Sequence, residues 1–471
     1  MHARQLFAAA VLGTLLRVSG AATVSIAEDR MLVVDGTRLF VAGLYENPQD
    51  DAVLREAADA GFHLVHAAAE ADALNRLAAH NLYAWINTGS CIDLSENEDA
   101  RAEELGKLVD AAAAHPALLV WEVPDEALWN VWYGAILWRG GEEPDLLAGK
   151  IKDLQDEAER ERLTSKLERS RALHRAGQYL ESEHLADELW SDLGQTSPHP
   201  GLGLANAPER AARMRQGMIK GRALMRGLDP AHPVWMNHAP RNQVAQLAQF
   251  NEAADIVGCD IYPVPESPRV GHSDLRDRTI ASVGAYTRRM QEAAPGKPVW
   301  MVLQGFGWGD IQPDQPPEVR EQLRRPTRAE TRFMAFDAIV HGARGILYWG
   351  TAYIEKDSPC WRDLLAVVTE LKDLQPVLAS RDADAVISFA CDETFGSVDR
   401  GVAVLPKQVD NSLWLLLVNE FTAPLTGTLR GLETSENLRY VERYSGEEYT
   451  VNGGALRLTV PPLSAAVLQP L

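Results

Sequence analysis

The sequence predicts a (β/α)8 TIM barrel that carries a helical insertion after its fourth strand and is followed by an antiparallel β-sandwich. Three observations lead to this fold class. Short apolar segments alternate with amphipathic helical stretches, which is typical of βα units repeated around a parallel sheet. About 110 residues separate the fourth and fifth apolar segments, where about 20 to 30 would connect them. After Ala379 the helical pattern gives way to short alternating segments separated by turn residues.

Eight segments have the length and apolar content of buried strands, and eight parallel strands close a barrel. They cover residues 39–45, 63–68, 82–87, 117–123, 233–238, 255–262, 298–304 and 345–350. Between them, residues 50–61 end in Gly61, which suits a helix C-terminus, and Thr327 with Glu330 forms a capping box. A doubly wound open sheet is the rival fold. It is disfavoured because the first βα turn, residues 43–50, lacks a glycine-rich phosphate loop.

The chain is expected to divide into a signal peptide (1–22), a barrel (23–378, with the insertion at about 143–205) and a β-sandwich domain (379–471). His2 and Arg4 precede an apolar run and small residues, a pattern that predicts a secreted or periplasmic protein; a structured N-terminal helix is the alternative. Within the insertion, residues 145–190 predict an exposed helical hairpin. It would serve as a lid or subsite, or as a solvated decoration or oligomer contact.

Composition excludes several function classes. The formal net charge of −20 opposes binding to nucleic acid or anionic membranes, so a neutral or weakly charged substrate fits better. No later segment is long and apolar enough to span a bilayer. The twelve histidines lack metal-ligand spacing, so neither a metal nor another cofactor is expected, and the oligomeric state stays open. The four cysteines are widely spaced, and one disulfide, Cys360 to Cys391, is conceivable.

Polar and aromatic residues follow the predicted strands at their C-terminal ends, where barrel enzymes place their chemistry. The candidates for substrate binding are Tyr45, Glu46, Trp121, Asn237, His238, Tyr262, Gln304 and Trp349. Among these, His238 is expected to point toward the cleft, where it would bind a sugar hydroxyl or make a structural hydrogen bond. The candidates for catalysis are the carboxylates Asp125, Glu126 and Asp260.

Residues 121–126, with the sequence WEVPDE, resemble the W-x-x-x-N-E pattern at the fourth strand of the clan A glycoside hydrolases, with Asp125 in place of the asparagine. DIYP at 260–263, KPVW at 297–300 and GILYWG at 345–350 agree with this resemblance. The resemblance implies cleavage of O-glycosidic bonds in a carbohydrate substrate, with Glu126 as general acid/base. This role requires a protonated carboxyl beside the leaving oxygen, and burial among aromatic residues raises a carboxyl pKa toward neutrality.

The predicted seventh strand departs from the family pattern. Clan A enzymes that retain configuration place their nucleophilic glutamate there, whereas this chain has Gln304, and an amide cannot act as that nucleophile. If the chain is a glycosidase of this kind, another carboxylate, such as Asp260, Glu46 or Glu122, would act as nucleophile or as general base for water.

The altered seventh strand is equally compatible with a substrate-assisted mechanism or with a loss of catalysis. The pair Asp125-Glu126 resembles the adjacent acids of substrate-assisted hexosaminidases, which implies that Asp125 orients a substrate acetamido group while Glu126 donates the proton. Alternatively, the barrel is a non-catalytic protein that binds carbohydrate without cleaving it.

Overall fold

The computed structural model describes residues 21–240, 242–266, 278–392, 400–433 and 437–471. Eight parallel strands form a closed barrel in which each strand pairs with the next along the chain and the eighth pairs with the first. Each lies within one of the eight predicted segments, so the predicted barrel is confirmed. The strands, numbered first to eighth below, are Val41–Leu44, Leu64–His66, Tyr83–Asn87, Leu118–Glu122, Val234–His238, Ile256–Ile261, Val299–Gln304 and Gly345–Trp349.

Helices connect the strands, and local sequence signals define their ends. Asp50 accepts a hydrogen bond from the backbone N of Ala52 at the start of the first helix, and Gly61, with φ of 117°, ends that helix in the left-handed region. The predicted capping box of Thr327 and Glu330 is present. The α-helices are Asp51–Ala60, Ala71–Ala79, Glu98–Ala112, Ala127–Leu137, Glu143–Lys152, Glu157–Arg175, Tyr179–Asp192, Ala207–Leu228, Val244–Phe250, Ser282–Ala293, Pro317–Gln322, Arg328–Val340, Pro359–Asp373 and Gln375–Leu378.

Tryptophan side chains fill the interior of the barrel. The ring of Trp235 lies 5.9 Å from that of Trp85 and 5.7 Å from that of Trp300. Gly345 makes room for this packing, because a Cβ at that position would lie 2.8 Å from Cδ1 of Trp300. Polar groups next to this layer therefore lie against buried aromatic rings, and such surroundings raise the pKa of a carboxyl group by desolvation.

The insertion contains the predicted helical hairpin, packed together with a further helix. The predicted hairpin corresponds to Glu157–Arg175 and Tyr179–Asp192, but Glu143–Lys152 packs against it as a third helix. The apolar residues enclosed between these helices are Leu147, Ile151, Leu163, Leu167, Ala186, Leu189 and Trp190. The buried guanidinium of Arg139 donates to Glu143 at 2.9 Å and to Asp187 at 2.8 Å. The expected hairpin is therefore present and most of its residues are exposed, but its inner faces are covered by a third helix that the sequence did not indicate.

Two sheet regions lie outside the barrel. A three-stranded sheet that the sequence did not predict, Val24–Ile26, Leu32–Val34 and Thr37–Leu39, precedes the first barrel strand. The C-terminal part forms two antiparallel sheets, as predicted for a β domain. Their strands are Arg381–Asp382, Ser388–Cys391, Val402–Val409, Ser412–Asn419, Leu425–Arg430, Arg439–Glu442, Glu448–Thr450, Ala455–Val460 and Ser464–Pro470. The helix Arg328–Val340 packs against this domain.

Three further expectations concern the chain as a whole. Residues 1–20 of the predicted signal peptide lie outside the described residues. Within the described ranges, no helix is long and apolar enough to cross a membrane. Cys360 and Cys391 are both free thiols, so the disulfide considered from the sequence does not form.

Candidate active site

Glu126 follows the fourth strand and caps the helix Ala127–Leu137. Its backbone has φ of 49°, a left-handed conformation that is uncommon for a residue with a side chain. The neighbouring strand holds this conformation, because the backbone N of Glu126 donates to the carbonyl O of Asn237 at 3.2 Å. The half-buried Glu126 side chain is hydrogen-bonded to Asp260. Strands four, five and six thus fix the position of the predicted proton donor together.

Asn237 joins two carboxylates across the mouth of the barrel. Its Nδ2 donates to Oδ1 of Asp125 at 2.9 Å and to Oδ1 of Asp260 at 2.8 Å. Asp125 is exposed as a residue, but its carboxylate turns inward to the buried Asn237. Desolvation of that carboxylate, together with the negative charge of Asp260, raises the pKa of Asp125 to about 7.

Asp260 is buried beside Glu126, and its pKa is raised well above the usual range. Desolvation is the main cause, followed by the charge of Glu126 and the hydrogen bond between the two carboxyl groups. The Tyr262 hydroxyl also bonds to Asp260. Two carboxylates in such contact cannot both ionise readily, so the pair retains a proton at pH values where isolated carboxyls lose theirs.

A third acid lies deeper in the barrel. Glu122 is fully buried, and its carboxylate accepts hydrogen bonds from the Tyr45 hydroxyl at 3.0 Å and from Nδ2 of Asn87 at 2.6 Å. Desolvation and the charge of Asp125 raise its pKa well above the usual range, against the opposing effect of these two hydrogen bonds. Glu122 therefore belongs to the site as a buried, hydrogen-bonded carboxyl behind Tyr45.

Aromatic rings form a wall on the side of strands six to eight. Tyr262 and Trp349 are stacked with ring centroids 5.4 Å apart, and Phe306 meets Trp349 edge-on at 4.9 Å. Tyr353, which is exposed, lies 5.7 Å from Trp349, and Nε1 of Trp308 donates to the carbonyl O of Tyr262. Of these rings, Trp349 and Tyr353 keep exposed surface of the kind on which sugar rings stack, whereas Tyr262 and Phe306 are buried behind them.

Gln304 occupies the position where the family places its nucleophile, but its side chain is bound to backbone. Nε2 donates to the carbonyl O of Val264 at 2.6 Å and of Phe306 at 3.0 Å, and Oε1 accepts from the backbone N of Val264 at 2.9 Å. The residue is 1% exposed. The amide thus ties the segment after strand six to the segment after strand seven, and it is not positioned as a free substrate ligand.

Three predicted substrate-binding residues lie outside this arrangement. Trp121 is fully buried with its Nε1 bonded to Asp229, and His238 is buried with its Nε2 2.8 Å from Oδ1 of Asn251. Both side chains point away from the barrel interior, because successive strand residues face opposite sides, and His238 makes the structural hydrogen bond that was the alternative to sugar binding. Burial lowers the pKa of His238 to about 4. Glu46 is ion-paired with Lys356 at 2.6 Å.

Asn87 and His66 also lie at this rim, although the sequence did not single them out. Asn87 ends the third strand and contacts Glu122, and its terminal position was the signal that could have identified it. His66 ends the second strand, and its ring lies 4.4 Å from that of Trp85. Both belong to the same rim as the predicted candidates.

Neither a protein-family model nor a curated protein matches the chain. Solved structures do match it. One described as a glycoside hydrolase aligns with a TM-score of 0.50 at 11% identity, over 95% of this chain and 96% of that one. The β-galactosidase from Bacillus circulans sp. alkalophilus aligns with a TM-score of 0.49 at 11% identity, over 92% of this chain and 99% of that one. The GH30 endoxylanase from Clostridium papyrosolvens C71 aligns with a TM-score of 0.41 at 11% identity, over 95% of this chain and 97% of that one.

The chain shares its fold with that solved glycoside hydrolase, and its closed barrel has eight parallel strands. At 11% identity the likeness concerns the fold. What the site does must therefore be argued from its own residues.

Proposed function

We propose that the protein hydrolyses O-glycosidic bonds, with Glu126 as the group that protonates the leaving oxygen. The observation that carries this proposal is the hydrogen-bonded pair of Glu126 and Asp260 at the mouth of the barrel. Cleavage of a glycosidic bond needs a carboxyl that is still protonated near neutral pH. Two carboxyl groups that share a proton next to buried aromatic rings can keep that proton near neutral pH.

The exposed surfaces of Trp349 and Tyr353 support a carbohydrate as the substrate. Stacking of a sugar on an aromatic ring needs no charge on the ligand. A neutral sugar also avoids the repulsion that a negatively charged one would meet at Asp125 and Asp260.

We assign the second chemical role to Asp125. Retaining glycosidases keep their two carboxyls about 5–5.5 Å apart and inverting ones about 6.5–9.5 Å, whereas Glu126 and Asp260 are in hydrogen-bond contact. Asp260 is therefore the proton-sharing partner of Glu126, not a nucleophile across the bond. Asp125, held by Asn237, would activate a water molecule or orient an acetamido group of the substrate.

A second candidate function is carbohydrate binding without cleavage. Gln304 favours it, because an amide bonded to three backbone groups leaves the seventh strand without any catalytic group. This candidate uses the same aromatic wall and predicts binding that is insensitive to Glu126→Gln.

As a further part of the proposal, the pattern of residues 1–22 implies export, which N-terminal sequencing of the mature protein from its own host would test.

The test is a screen of aryl glycosides and polysaccharides, with the anomer of any product followed by NMR. We expect the wild type to release sugar and both Glu126→Gln and Asp125→Asn to be strongly impaired, while the exposed-carboxylate control Asp110→Asn keeps full activity. If the missing function is proton donation, added azide or acetate should not restore the activity of Glu126→Gln on glycosides with poor leaving groups. Glycans that bind but are cleaved by no variant would favour the second candidate.

A further inference from the structure

A second cluster of titratable side chains lies at the contact between the barrel and the β domain. It consists of Asp337 and His341, at the end of the helix Arg328–Val340, and Glu420, directly after the strand Ser412–Asn419. One ligand atom from each of these residues lies within 4.8 Å of the other two. The cluster, called the interdomain triad below, is remote in sequence from the barrel mouth and takes no part in the proposed hydrolysis.

Two of the separations between ligand atoms of the triad match those of ligands around one ion. Nε2 of His341 lies 3.0 Å from Oε1 of Glu420 and 3.5 Å from Oδ1 of Asp337. Zinc binds nitrogen and oxygen at about 2.0–2.2 Å, which places ligand atoms of one ion about 3–3.5 Å apart. The side chains would need to move little to coordinate a cation.

Burial and orientation supply an independent observation. Asp337 is 0% exposed and Glu420 is 6% exposed, so two carboxylates are held away from water. The backbone N of Gly284 donates to Oδ2 of Asp337 at 2.7 Å, and the other oxygen, Oδ1, is turned toward His341. A Cβ on Gly284 would lie 2.2 Å from Cδ2 of His341, so the glycine leaves room for this ring. An orienting contact of this kind is typical of the groups behind metal ligands.

A cation already approaches the open side of the triad. Nη1 of Arg288 lies 2.9 Å from Nε2 of His341 and 3.8 Å from Oε1 of Glu420, and about half of this side chain is exposed. A divalent ion at this position would contact both carboxylates directly, and the half-exposed guanidinium can withdraw into solvent.

We propose that Asp337, His341 and Glu420 bind a divalent transition-metal ion, with zinc the best match to one imidazole and two carboxylates. The ion would fasten the β domain to the barrel helix, because its ligands come from both. Arg288 competes with the ion for the same position. This site is independent of the proposed glycosidase activity.

The test uses the full chain after chelator treatment and dialysis. Zinc and magnesium chlorides are titrated by calorimetry, and thermal unfolding is recorded with each ion. We expect one zinc bound per chain through the triad, a rise in Tm of several degrees with zinc, and none with magnesium. His341→Gln and Glu420→Gln should each weaken zinc binding at least about 10-fold, and Arg288→Ala should strengthen it.

The zinc-induced change in Tm, rather than the Tm itself, separates loss of the site from loss of stability in a variant. His184→Ala is the matched control, because it removes an exposed histidine that lies 3.0 Å from Glu188 without touching the triad. The proposal is overturned if the wild type binds no stoichiometric zinc. It is equally overturned if His341→Gln and Glu420→Gln bind zinc as the wild type does.

Discussion

Replacement of Gln304 by glutamate tests whether the seventh strand has a structural or a chemical role. The substitution introduces the residue type that retaining clan A glycoside hydrolases use as nucleophile, while it leaves the size of the side chain almost unchanged. In the structure the amide donates to the carbonyls of Val264 and Phe306, and a carboxylate cannot donate either bond. An ionised glutamate would instead place its charge against two carbonyl oxygens in a fully enclosed position.

The expected loss of stability follows from these contacts. The two lost hydrogen bonds are worth about 0.5–1.5 kcal/mol each, and each buried carbonyl left without a donor adds about 1 kcal/mol or more. Retaining a proton on a glutamate of ordinary pKa at pH 7 costs up to about 3.7 kcal/mol, whereas the protonated form recovers one donor. We therefore expect Gln304→Glu to lower the free energy of unfolding by about 3 kcal/mol at pH 7.

The assay is urea denaturation at pH 7 and pH 4, together with glycosidase activity. The destabilisation should shrink at pH 4, because the carboxyl is then protonated without that penalty. Gln195→Glu, at an exposed glutamine, is the control and should change stability little. A variant as stable as the wild type at pH 7, or one with increased hydrolysis, would refute the structural role of Gln304.

Three further predictions concern the site and the barrel core. The pKa of Asp125 is raised to about 7, so its proton stabilises the folded state at low pH, and this contribution is lost as the pH rises through 7. Asp125→Asn should remove this pH dependence of stability in thermal melts recorded from pH 4 to 8. Asn237→Asp adds a carboxylate beside Asp125 and should lower kcat at least about 100-fold on any substrate that the wild type cleaves. Gly345→Ala should destabilise by about 1–3 kcal/mol in denaturant titrations, because its Cβ would press on Trp300, whereas Gly106→Ala in an open helix position should be neutral or stabilising.

The sequence predicted the barrel because its strands are long apolar segments separated by helices with readable ends, such as Gly61 and Thr327. It did not predict the N-terminal sheet. Strands of three residues, such as Val24–Ile26 and Leu32–Val34, are too short for an alternating pattern to be distinguished from a loop. The third helix of the insertion was missed because its burial depends on packing against two other helices.

The candidate site was predicted by position and only partly by direction. Counting strand ends placed Glu126 and Asp260 at the mouth, where the structure brings them into contact. It could not decide which of two neighbouring residues faces inward, because barrel strands are buried on both sides and show no apolar alternation. Trp121 and His238, which point away from the interior, could not be distinguished from their inward-facing neighbours for this reason. The role of Gln304 depends on backbone groups of two separate loops, which no local pattern reveals.

Proton donation by Glu126 is tested most directly by the leaving-group dependence of Glu126→Gln. Once a cleaved sugar is known, its phenyl and dinitrophenyl glycosides are compared with wild type and variant. We expect Glu126→Gln to break the glycosidic bond of the phenyl glycoside about 10²- to 10⁴-fold more slowly than the wild type, because this leaving oxygen needs the proton. On the dinitrophenyl glycoside, the rate of bond breaking should change little. Equal activity of wild type and variant on both substrates would contradict it.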